Sequence, residues 1–142
     1  MSKHIFEQRL SAAYATTDND IASLEVQILD NSEWTTFDLN PGTPGFLVFV
    51  YSIFTCQHLF LRSNAAERNL VFHTSRGEIV VEANEDWFLE KVDVRFEVSL
   101  ASGSASDDNI EYITSRMKQC PVSKNLPQNI DIRTSVVFNN GQ

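Results

Sequence analysis

Glycine, cysteine and basic clusters are what this chain has little of. Its 142 residues hold five glycines, two cysteines and 11 Lys or Arg against 19 Asp or Glu, a formal net charge of −8. Without a basic run there is no footprint for phosphate binding, which excludes nucleic acid as a partner. The scattered glycines form no phosphate-cradling loop, and no GxSxG sequence marks a nucleophile elbow. The three histidines, His4, His58 and His73, lie far apart, and neither Cys56 nor Cys120 belongs to a CxxC pair. No metal and no cofactor is therefore expected. Ser2-Lys3-His4 runs straight into mixed polar sequence, so no signal peptide is expected and a cytoplasmic location is the default. Reducing conditions there disfavour a structural disulfide, which leaves two free or redox-active thiols.

What the chain does have is one long apolar stretch, Phe46 to Leu70, reading FLVFVYSIFTCQHLFLRSNAAERNL. Eight of the nine positions from Phe46 to Phe54 are apolar, the pattern of an element buried on every side. Gln57, His58 and Arg62 interrupt the run short of a membrane span. Pro44 and Gly45 open it, where proline loses no hydrogen bond. The stretch predicts a central helix through the middle of a single domain, residues 1–142, with Cys56 at its centre.

The flanks predict the rest of an α+β domain. Residues 3–14 read as a strand or a short helix. Leu24, Val26 and Ile28 alternate with Glu25 and Gln27, a half-buried strand. Asp30-Asn31-Ser32 is a turn, residues 34–39 complete a hairpin, and residues 40–45 form a loop into the helix. After the helix, a turn at Arg76-Gly77 precedes a short strand at 78–82. Val92 to Leu100 alternates cleanly, predicting a sheet with one wet face. A flexible loop over 101–106 leads to a helix started by a capping box of Asp108 and Glu111. Ile110, Ile113, Met117 and Cys120 share one helical face, so Cys120 points inward. Pro121 interrupts that helix, and residues 130–138 make a final strand.

Few residues can carry chemistry. His58, on an apolar helix, reads as a hydrogen-bonded core residue, and Trp34 and Trp87 as packing. Cys56 in such a helix ordinarily behaves as a small hydrophobe with a raised pKa. Cys120-Pro121 reads equally as a kink or as the start of a new helical turn capped by Cys120, where N–H groups would favour a thiolate.

Two marks resemble the osmotically inducible protein C-like family, which includes the organic hydroperoxide resistance (Ohr) proteins. One is the single Cys56 midway along a long apolar helix. The other is Cys120-Pro121-Val122-Ser123 before the last strand, 64 positions later. The resemblance covers residues 24–138. It implies an OsmC-like fold, an intertwined homodimer with sites between subunits, and thiol-dependent reduction of organic hydroperoxides. Cys56 would be the peroxidatic thiol, Cys120 the resolving one, and an external dithiol the reductant. A hydrophobic peroxide would be the substrate. Family members activate the first cysteine with an arginine and with a glutamate at the start of the long helix. Here that start is Thr43-Pro44-Gly45-Phe46, without an acid, and the preceding region offers only Arg9. The same fold would also suit a weak or inactive dimer that binds a small apolar ligand.

Overall fold

The computed structural model describes residues 3–140. Strands β1 (His4–Ala15), β2 (Asp20–Asp30) and β3 (Glu33–Thr36) come first, then helix α1 (Gly45–Glu67). Strands β4 (Val71–Ala83) and β5 (Leu89–Ser102), helix α2 (Asp107–Met117), a 3₁₀ turn (Ser123–Asn125) and strand β6 (Asp131–Asn139) follow. The six strands form one sheet in the order β3-β2-β1-β4-β5-β6. All neighbours are antiparallel except β5 and β6, which run parallel and so need the crossover that carries α2.

Residues 3–14 resolve as a strand because both sides are needed. Gln8, Leu10 and Ala12 are buried under α1 while Arg9 and Ser11 face solvent. The β2–β3 hairpin closes through Asn31 and Ser32, whose φ of 51° and 67° suit a tight two-residue turn. At the β1–β2 tip, Asn19 adopts φ 59° and is fully buried. Its amide donates to the carbonyls of Arg62 and Leu70 and accepts from the Phe72 N–H, tying the tip to the end of α1 and the start of β4.

Three sequence expectations need correction. No turn exists at Arg76-Gly77: β4 runs through it, and Gly77 is there for space. A Cβ at Gly77 would lie 2.5 Å from Cε1 of Phe96 and 3.2 Å from Cε1 of Phe54. Gly77→Ala should therefore destabilise the fold by about 1–3 kcal/mol, as overpacked cores do, read as a lowered urea midpoint with unchanged slope. Second, α2 is not capped by an Asp108–Glu111 box. The N-cap is Ser106, whose Oγ accepts from the Asn109 N–H at 3.1 Å. Third, α1 is not buried on every side. Val50, Ile53, Phe54, Gln57, His58, Leu61, Asn64 and Ala65 are buried, against α2 and the crossover as well as the sheet. Val48, Ser52 and Cys56 are half-buried, and Leu59 is 48% exposed.

By length and composition α1 is apolar enough to cross a membrane. Its polar Gln57, His58 and Asn64, however, are buried against this domain and hydrogen-bonded within it, the character of a core helix.

Candidate functional site

Cys56 lies midway along α1, at the margin of the stripe that the sheet leaves uncovered, and is half-buried. Cys120 follows the end of α2 and is fully buried. The chain folds so that the crossover from β5 to β6 returns over α1, which brings Cys120 near Cys56. The backbone N–H groups of Val122 and Ser123 act to lower the Cys56 pKa.

Cys120 and Pro121 lie in the turn between α2 and the 3₁₀ turn, whose N-cap is Val122. The Lys124 N–H donates to the Cys120 carbonyl at 3.0 Å, and the Ser123 N–H donates to the Cys120 Sγ at 3.4 Å. The Cys120 thiol in turn donates to Ser123 Oγ at 3.0 Å.

Electrostatics work against Cys56 as a nucleophile in this single chain. Burial and the neighbouring Cys120 thiol push its pKa up to about 11, and the two N–H groups offset only part of this. Arg9 does not reach it. That side chain is on the far face of the sheet, where Nε donates to Gln27 Oε1 at 2.7 Å and the guanidinium covers the Trp34 ring. His58, two positions along, points into the core. Its Nε2 bonds Tyr14 Oη at 2.6 Å, and its ring stacks on Phe96. His4 stacks on Trp87, and His73 is exposed on β4. Clefts around Arg9, Arg76 and Arg95 lie on the far face and are lined by neither cysteine.

Sequence reading named both thiols but missed Gln57. Fully buried beside Cys56, its Nε2 donates to Ser123 Oγ at 3.0 Å and its Oε1 accepts from Thr134 of β6 at 3.1 Å. A polar residue within an apolar helix, next to a cysteine, was the available signal.

The sequence matches no protein-family model and no curated protein. Solved structures do match. A crystal structure of an OsmC-like protein from Mycoplasma pneumoniae superposes with a TM-score of 0.56 over 98% of both chains, at 13% identity. An OsmC-like protein of unknown function from Vibrio cholerae gives 0.51 over 96% of this chain and 99% of that one, also at 13% identity. The chain has the OsmC-like fold.

Proposed function

We propose that this protein reduces organic hydroperoxides with its own thiols, slowly, as a homodimer. The observation that carries the reading is the nearness of Cys56 and Cys120, brought together from a helix and a crossover 64 residues apart. The Cys56 thiolate attacks the O–O bond, becomes a sulfenic acid and releases the alcohol. Cys120 then displaces water from that sulfur to form a disulfide, and an external dithiol takes up the bridge by exchange. The half-buried apolar residues of α1 beside Cys56, Phe49 and Phe60 among them, suit a bulky alkyl chain. The same uncovered side, with Leu59 at its centre, suits a second copy of the chain, and a monomeric mass by light scattering would remove that part of the proposal.

The test compares wild type with Cys56→Ser for consumption of cumene hydroperoxide under excess dithiol. Loss of turnover in the variant, with wild type slower still on hydrogen peroxide, supports the reading. Equal rates overturn it. One observation favours a second reading, a dimer that only binds a small apolar ligand. Among the described residues no cation contributes to the surroundings of Cys56. Retained affinity for a hydrophobic fluorophore without any thiol-dependent turnover would select that alternative.

A further inference from the structure

We infer that Gln57, Ser123 and Thr134 are positioning residues that hold the Cys120 turn in disulfide register with Cys56. The inference rests on the pairing of the two cysteines in the proposed reaction. It is carried by a continuous chain of hydrogen bonds, buried from Gln57 to Cys120. Thr134 Oγ1 donates to Gln57 Oε1, Gln57 Nε2 donates to Ser123 Oγ, and the Cys120 thiol donates to that same oxygen. Gln57 and Cys120 are wholly inaccessible and Ser123 is 6% exposed, so the two bonds to the Ser123 oxygen are shielded from water, while Thr134 is half-buried on the edge strand.

The geometry gives the chain a task. The backbone hydrogen bonds of the turn are local, running from Cys120 N to Met117 and from Lys124, Asn125 and Leu126 back to Cys120, Val122 and Ser123. They shape the turn without fixing it to α1. The side chain of Gln57 supplies that tie, from the position next to Cys56, and β6 anchors Gln57 from behind through Thr134. A disulfide tolerates only a narrow range of separations and orientations between its two cysteines. A turn held on α1 meets that range; one that swings away leaves Cys56 to react further with peroxide. In the resolving step Cys56–SOH and Cys120–SH become Cys56–S–S–Cys120 and water, the Cys120 proton leaving with the hydroxyl. The Ser123 oxygen then loses one donor but keeps Gln57, so the turn remains seated after oxidation.

The experiment measures how readily the two cysteines pair in glutathione redox buffers, where one oxidised glutathione yields the protein disulfide and two reduced glutathiones. This needs no peroxidase activity. Gln57→Met removes both amide bonds, keeps the side-chain length and leaves the Cys120–Ser123 bond in place. Its effective thiol concentration should fall about tenfold. Thr134→Val, on the edge strand, should lower it by about threefold and carries the test if Gln57→Met does not fold. With excess organic hydroperoxide, which supplies the second equivalent that sulfinic acid requires, the variants should form Cys56 sulfenic acid at the wild-type rate yet accumulate more sulfinic acid and less disulfide. A purely structural role would not produce that split. Pairing equal to wild type in folded variants overturns the inference, as does a wild type that forms no Cys56–Cys120 disulfide in any glutathione buffer. A wild type that pairs in glutathione, with pairing weakened in the variants, but ignores hydroperoxides would support the tether while sinking the peroxidase reading.

Discussion

Alkylation of Cys56 by iodoacetamide should accelerate about tenfold for each pH unit from 7 to 10 in the single chain, with no plateau. The thiolate is the reactive species, and burial together with the adjacent Cys120 thiol holds the group near 11, two units above the ordinary value of 9.0. At neutral pH the thiolate fraction is then about a hundredfold below that of an ordinary cysteine. The N–H groups of Val122 and Ser123 pull in the other direction without matching the loss of solvent. A cation brought by a second chain would change the profile, moving the inflection below pH 9. Measuring the rate against both pH and protein concentration separates the cases. A concentration-independent inflection near pH 8 would show that the single-chain surroundings of Cys56 do not govern its reactivity.

Lowering the pH from 7 to 4 should remove roughly 3 kcal/mol of stability through His58 alone. The imidazole is 2% exposed, lies between Tyr14 and Phe96, and has its pKa lowered to about 3 by burial first and by Arg62 second. In the unfolded chain it titrates near 6.5. Between the two values the unfolded state binds a proton that the folded state refuses, so stability rises with pH across that window and is lost as pH falls. His58→Gln keeps a polar group facing Tyr14 and does not titrate. Urea unfolding of both proteins at pH 7 and pH 4 gives the contribution as a difference of differences, which cancels the carboxylates common to both. Parallel pH dependence in the two proteins would mean that His58 is protonated in the folded state.

The legibility of the sequence differed sharply between elements. Helix α1 announced itself because Phe46 to Phe54 is too apolar for a surface, and β5 because Val92 to Leu100 alternates without a break. The Arg76-Gly77 pair was read as a turn because glycine after a polar residue usually is one. Only the position of the Phe96 ring, on a neighbouring strand, shows that the missing side chain makes room for a core aromatic. The uncovered side of α1 was equally invisible, since composition reports how apolar a helix is and not how many elements are available to cover it. In the site, Cys56 and Cys120 stood out by scarcity and by the proline after the second. Thr134 did not, because a hydrogen bond across 77 positions leaves no local trace at its far end, and Gln57 showed only as a lone polar residue in an apolar helix. Arg9 was the opposite case, the arginine that the region before the helix offers, which the strand alternation sends to the wrong face.

The place of β1 in the sheet carries a kinetic consequence. The strand made first sits fourth from one edge, and the ladder to β4 joins His4 with Ala83 and Ala13 with Thr74. Such pairings close long loops before any contact rewards them, which slows folding. Helix α1 and the β4–β5 hairpin are local and can form early, leaving the β4 edge bare until the N-terminal meander arrives. The Asn19 amide, bonded at once to Arg62, Leu70 and Phe72, is the latch for that arrival. Refolding should thus be slow and concentration-sensitive, with the bare β4 edge as the surface on which newly made chains stick to one another.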